Sequence, residues 1–139
     1  MENCNCIFCK IARGEIPCYK VYEDDKILAF LDISQTTKGH TLVITKEHFQ
    51  NFLYVPKDLL SQAISTAQKV AQAEVASLGA NGVNILINTN EVAGQTVMHF
   101  HIHVIPRYNN KDNISIEFTP TGIEKLNLPA IASEIKNNI

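Results

Sequence analysis

Gly94-Gln95-Thr96-Val97-Met98-His99-Phe100-His101-Ile102-His103-Val104-Ile105-Pro106 places three imidazoles at alternate positions of an apolar, strand-like run. Strand side chains point to opposite faces in turn, so His99, His101 and His103 share one face while Phe100, Ile102 and Val104 turn the other way into a core. The pattern predicts a strand over Val97 to Ile105, ended by Pro106. A row of imidazoles with apolar backing is a rigid platform. Three chemistries use such a row: metal ligation, proton transfer and nucleophilic attack. All need an unprotonated ring nitrogen, which an unperturbed pKa of about 6.5 provides near neutrality. For attack on phosphorus the central ring must be neutral. A fixed acceptor, such as a backbone carbonyl, would hold one N–H so that the other nitrogen presents its lone pair. Flanking imidazoles would stabilise charge growing on the phosphoryl oxygens and the leaving group.

Upstream, Val83 to Asn88 reads as a strand after the Asn81-Gly82 turn, with Gly94 in the loop that follows. Lys57 to Leu78 changes period: Leu60, Ala63, Ile64, Ala67, Val70, Ala71 and Leu78 recur at spacings of a long helix, entered at Pro56 and Asp58 and stopped by Gly79. His40 to Thr45 is β-branched and strand-like. Tyr19 to Glu23 and Lys26 to Asp32 read as a hairpin turning at Asp24-Asp25. Ile7 to Ala12 forms a short helix, and Ile123 to Ile139 is weakly helical. Two groups of strands around one helix, without βαβ alternation, give an α+β fold: an antiparallel sheet of about five strands, one long helix and short terminal helices.

At 139 residues the chain fits one domain over 1–139. It divides into a Cys-rich start (1–14), a sheet-and-helix core (18–106) and a tail (107–139). With 45% hydrophobic and 19% charged residues it is a globular rather than a disordered sequence. A net charge of -2 supplies no basic field for a polyanion, which argues against stable nucleic-acid binding and leaves a small nucleotide possible. No segment approaches the roughly 20 apolar residues of a membrane span, and the start lacks a signal-peptide pattern; a cytoplasmic protein with no membrane partner is expected. Three of the four cysteines, Cys4, Cys6 and Cys9, crowd into the first nine residues. In a reducing compartment such clustering suggests metal binding or free thiols. Cys6-x-x-Cys9 has the spacing of half a zinc site, and a tetrahedral structural site needs a second half. Cys18, alone after Pro17, reads as packing.

Asn88 and the run from Gly94 to Val104 closely resemble the signature of the histidine triad (HIT) family. Phe30-Leu31-Asp32-Ile33-Ser34 and Gly39-His40-Thr41-Leu42-Val43-Ile44 look like its nucleotide-binding strands, and Cys6-Ile7-Phe8-Cys9-Lys10-Ile11 looks like its bacterial N-terminus. The resemblance implies a HIT-like fold of the Hint-like branch. It further implies a hydrolase or nucleotidyl transferase acting at the α-phosphate of purine nucleotide conjugates: nucleoside phosphoramidates, acyl-adenylates or dinucleoside polyphosphates. His101 falls on the nucleophile, which forms a nucleotidyl-histidine. His103 would contact the phosphate and bridging atom, and His40 would be a fourth active-site histidine. Gln95, Thr96 and Asn88 would hydrogen-bond the phosphate or leaving group. Asp32 matches the acidic residue that takes both ribose hydroxyl protons, although an aspartate at a strand end also caps turns. Phe8, Ile11, Phe30, Ile33 and Leu42 would line the base pocket.

The resemblance also completes the metal site. His48, in Lys46-Glu47-His48, and His99 would join Cys6 and Cys9 around a structural zinc, with Cys4 a substitute for Cys6. It implies a homodimer as well. Two other classes of answer stand beside the enzyme: a non-catalytic nucleotide-binding sensor that keeps Asp32 and tolerates loss of His101, and a catalytic metal centre built on the imidazoles.

Overall fold

The computed structural model describes residues 4–139. Five strands, β1 (Lys20–Glu23), β2 (Ile27–Leu31), β3 (Thr41–Thr45), β4 (Gly82–Leu86) and β5 (His101–Arg107), form one sheet in the order β1-β2-β3-β5-β4, every pairing antiparallel. The α+β architecture expected from the sequence is the one observed. β2 and β3 are buried nearly throughout because both sheet faces are covered, and for that reason they read as continuous apolar runs.

One face carries Ile27, Ala29, Val43, Ile102 and Val104 against helix α2 (Lys57–Leu78). On the other, Leu28, Phe30, Leu42 and Ile44 pack with Phe8 of helix α1 (Ile7–Ala12). Register builds the site on this second face. Directly opposed residues share a face, and the pairings align Leu28, Ile44 and His101 in one cross-strand row and Phe30, Leu42 and His103 in the next. Two apolar rows thus lead into two imidazoles, the second continuing past His103 to Leu86.

Helix α2 has the expected bounds, closed by Gly79 in the left-handed conformation (φ 72°). Its buried face is rotated from the one expected. Leu59, Ala63, Thr66, Ala67, Val70 and Glu74 face inward, whereas Ile64 is 43% exposed. The apolar periodicity was ambiguous because alanines lie on several sides of this helix, and no pattern search would place a glutamate inward. Glu74 is 94% removed from solvent, and neither carboxylate oxygen has a hydrogen-bond partner among the described residues. The Thr41 hydroxyl beside it donates to the Gly39 carbonyl (2.8 Å) instead. At Gly39 (φ 99°) a Cβ would sit 2.6 Å from Leu78 Cδ1, so this position admits no side chain.

β5 begins later and ends later than expected. Residues 97–100 lie outside it, so His99 precedes the strand, and Pro106 lies within it. β3 pairs with β5 only as far as Val104. The Pro106 carbonyl accepts from the Thr37 hydroxyl (2.6 Å), which places the side of Pro106 that lacks an N–H toward a loop instead of a neighbouring strand. The tail holds a short 3-10 turn (Ile123–Lys125) and helix α3 (Leu128–Lys136), exposed along its length.

Candidate active site and thiol-imidazole cluster

His101 is 93% removed from solvent, and its Nδ1–H donates to the carbonyl of His99 at 2.7 Å. That bond fixes the tautomer and leaves the Nε2 lone pair free. Burial holds its pKa below the ordinary imidazole value, so the ring is neutral near pH 7. Phe8 packs edge-on against the ring, centroids 5.1 Å apart, and limits its rotation.

The neighbouring ring, His103, lies 5.0 Å from His101 by centroid. Burial, reinforced by the adjacent imidazoles, pushes its pKa down to about 4. A hydrogen bond ties it to a further imidazole. His40 Nδ1 lies 3.3 Å from the backbone N–H of Thr36, and its Nε2 lies 2.9 Å from His103 Nδ1, so the two rings share one hydrogen bond. Asp32 stands beside this pair with Oδ2 3.8 Å from His40 Nε2, while Oδ1 accepts from Ser34 N–H at 2.8 Å. Its turn-capping role is therefore real, and it occupies only one oxygen.

These groups open into a cavity of about 390 Å³ bounded by Phe8, Ile11, Phe30, Ile33 and Leu42 on its apolar side and by Asp32, Thr96, His101 and His103 on its polar side. The five residues expected at a base pocket all line this cavity, with Ile33 87% exposed at the rim. Cys18, read as packing, also faces this cavity. A larger cleft of about 650 Å³ lies between the 35–38 and 108–113 loops, but none of the imidazoles reaches it.

Gln95 is placed differently from expectation. Gln95 is 1% exposed; its Nε2 donates to the carbonyls of Gln50 (2.7 Å) and Val97 (3.0 Å), and its Oε1 accepts from Asn90 N–H (2.8 Å). An amide so committed holds the 90–97 loop and has no donor left for a phosphate. Asn88 Nδ2 donates to the Gly94 carbonyl at 3.3 Å, bracing the same loop. Two groups escaped the sequence reading: the Thr36 N–H that sets His40, and the Thr45 carbonyl that accepts from His99 Nε2 at 2.6 Å. Both are main-chain groups, which side-chain identity does not signal.

The Thr45 bond turns His99 Nδ1 toward the N-terminal thiols. That atom lies 3.1 Å from His48 Nδ1, 3.3 Å from Cys6 Sγ and 3.5 Å from Cys9 Sγ; His48 Nδ1 is 3.6 Å from Cys6 Sγ and 3.4 Å from Cys9 Sγ. Ligands at about 2.0–2.3 Å from a tetrahedral zinc are separated by just such distances. A ring whose remote nitrogen is fixed by a carbonyl is the arrangement metal-binding histidines adopt. Cys6, Cys9, His48 and His99 therefore fit a zinc ion in donor type and spacing. Cys4 is a fifth donor: its sulfur, with those of Cys6 and Cys9 and a His48 nitrogen, falls in a group within 4.8 Å of one another. Cys4 and Cys9 are joined by a disulfide, a pairing the sequence reading did not expect, and Cys6 and Cys18 are free.

The HIT domain family profile matches residues 13–110, and the chain belongs to that family. A crystal structure of a HIT family protein from Bacillus anthracis superposes with a TM-score of 0.91 at 47% identity, covering 97% of each chain. Adenosine 5'-monophosphoramidase hnt1 of Schizosaccharomyces pombe is 36% identical over 135 residues, 97% of this chain and 98% of that protein. A Zn-bound histidine triad family protein from Mycobacterium smegmatis aligns with a TM-score of 0.75 at 37% identity, over 97% of this chain and 98% of that one.

Proposed function

We propose that the protein is a nucleotide hydrolase or nucleotidyl transferase that splits purine nucleotide conjugates at the α-phosphate, with His101 as nucleophile. One observation carries the reading: the His101 ring is kept neutral by burial and held in a single tautomer by the His99 carbonyl at 2.7 Å, its free nitrogen beside the cavity. Nε2 attacks the α-phosphorus, and the bond from phosphorus to the leaving nitrogen or oxygen breaks. His103 Nε2–H donates to the bridging atom as it departs. Positive charge on the nucleotidylated ring is stabilised by the retained Nδ1–H bond to the carbonyl. Water then attacks the phosphorus, releasing nucleoside monophosphate and regenerating the imidazole. The free oxygen of Asp32 takes the ribose hydroxyls, the Thr96 side chain lies at the phosphate, and the wall from Phe8 to Leu42 holds the base. The 36% identity to a monophosphoramidase supports phosphoramidates as the first substrates to try.

The test is covalent. Adenosine 5'-phosphoramidate labelled in the phosphate is mixed with enzyme, quenched under alkaline denaturing conditions that preserve a phosphorus-nitrogen bond, and digested. AMP on the His101 peptide is the expected result; turnover with the label on another residue, or on none in a rapid quench, overturns the assignment.

Zinc is proposed at Cys6, Cys9, His48 and His99. The donor geometry and the Zn-bound mycobacterial relative support it. When bound, the metal supplies a cross-link between the N-terminus and the segment ahead of β5, not a reactive water. Removing it with a chelator is expected to lower Tm by roughly 10 °C while leaving initial hydrolysis at low temperature within a few-fold of normal. Thermal melts and initial rates on the same samples check this: lost turnover with an unchanged Tm would mean a metal engaged in the chemistry.

No described helix is long and apolar enough to cross a membrane. A cytoplasmic location and a homodimer complete the proposal. Partly exposed Ile85 and Leu86 on edge strand β4, with Ile64 and Val75 on α2, support a two-fold contact there.

A further inference from the structure

The zinc reading uses four donors where the fold gathers five. Cys4 Sγ lies 3.3 Å from His48 Nδ1 and is bonded to Cys9 Sγ. A cysteine sulfur in a disulfide is not a thiolate ligand, so Cys9 serves the metal or Cys4, never both. Access separates the two partners. Cys9 is fully buried (0% exposed), whereas Cys4 is half-buried at the edge of the cluster, so a soluble oxidant meets Cys4 first. Cys6, by contrast, is occupied locally: its sulfur accepts from the Cys9 backbone N–H at 3.2 Å, capping α1, and it is unpaired.

We propose that Cys4 is an oxidation site that competes with zinc for Cys9, so that a hydroperoxide-class oxidant converts the metal centre into the Cys4–Cys9 disulfide and expels the ion. This rests on the zinc reading above. The Cys4 thiolate attacks the peroxide, breaking its O–O bond to give Cys4 sulfenic acid and one hydroxide, protonated to water. The Cys9 thiolate then attacks the Cys4 sulfur, forming the S–S bond and expelling the second oxygen as water. Two thiols are oxidised by two electrons, one peroxide is reduced to two waters, and Zn²⁺ leaves with Cys6, His48 and His99 as its remaining donors. A dithiol reverses the sulfur chemistry and allows zinc to return.

The His99 ring is held at one end by Thr45 and at the other by the cluster, while its carbonyl is the acceptor for His101 Nδ1–H. The disulfide-bonded form keeps these contacts, so oxidation expels the metal while leaving the aim of the nucleophile in place.

The experiment uses zinc-loaded full-length protein, wild type, Cys4→Ser and Cys18→Ser, treated with hydrogen peroxide. Released zinc is followed with a colorimetric chelator, free thiols are counted, and disulfides are mapped by mass spectrometry. Wild type and Cys18→Ser are expected to release their zinc with loss of two thiols and a Cys4–Cys9 peptide, reversed by dithiothreitol and zinc. Cys4→Ser should bind zinc with an unchanged melt and release it at least about tenfold more slowly. Equal release rates, or a disulfide elsewhere, overturn the proposal. Failure of Cys4→Ser to hold zinc, with Cys6→Ser still holding it, also overturns it by making Cys4 a ligand. If wild type binds no zinc yet still forms the Cys4–Cys9 bond, the zinc reading itself has failed.

Discussion

His101→Asn is expected to lower kcat for phosphoramidate hydrolysis by about 10⁴-fold or more, the scale seen when a nucleophile is removed from a preorganised site. Asparagine retains an N–H able to reach the His99 carbonyl and fits the space between Phe8 and β3, so the fold and the cavity should persist. It has no lone pair of imidazole basicity, and no other imidazole can substitute. His103 Nδ1 is engaged with His40 Nε2 at 2.9 Å. His99 Nε2 is tied to Thr45. Binding of AMP, measured by calorimetry, should change by only a few-fold, because the proposed ribose and base contacts come from Asp32 and the apolar wall. A loss in turnover of less than about tenfold, with the variant correctly folded, would mean that phosphorus is attacked by something other than this ring.

The second large effect concerns stability. Burial without a hydrogen-bond partner pushes the Glu74 carboxyl up from an ordinary 4.5 to about 8. The folded protein thus holds a proton that the unfolded chain has already released above pH 4.5. Stability from this group is complete below that pH, falls as pH rises toward 8, and levels off once both states are ionised. The accumulated penalty is a few kcal/mol. Glu74→Gln is expected to flatten the decline of Tm between pH 5 and 8, and Glu74→Met to raise Tm at pH 8 by about 5 °C or more, since an apolar chain of similar length removes the buried polar group altogether. Melts across that pH range decide it. A wild-type Tm that rises from pH 5 to 8 by the same amount in both variants would show that the carboxyl has a partner or reaches water.

Much of the architecture was legible because its signals are local. The 22-residue helix announces itself by Pro56 at one end and Gly79 at the other, and β2 and β3 by unbroken apolar runs. The chemistry-bearing side chains were legible too, since alternate histidines have few uses. What escaped depends on partners distant in sequence. Gln95 reads as a phosphate donor until the Gln50 and Val97 carbonyls and the Asn90 N–H are found to occupy it. Glu74 reads as solvent-facing until Gly39 and Leu78 are seen to close over it. Pro106 reads as a stop until β5 is found to outrun β3 on the side where an N–H is missing. The Cys4–Cys9 bond required knowing that three sulfurs and two imidazoles meet at one point.

His101 and His103 are second neighbours along a single extended segment, one beside Ile44 and the other beside Leu42. The span between the proposed attacking nitrogen and the proposed proton donor is therefore gauged by the pitch of the main chain, a length that point substitutions leave unaltered. Only gaining or losing a residue can change it, and a one-residue slip would swing a ring through the sheet toward α2. Selection can thus reshape the mouth of the cleft for new leaving groups while the reactive pair keeps its spacing.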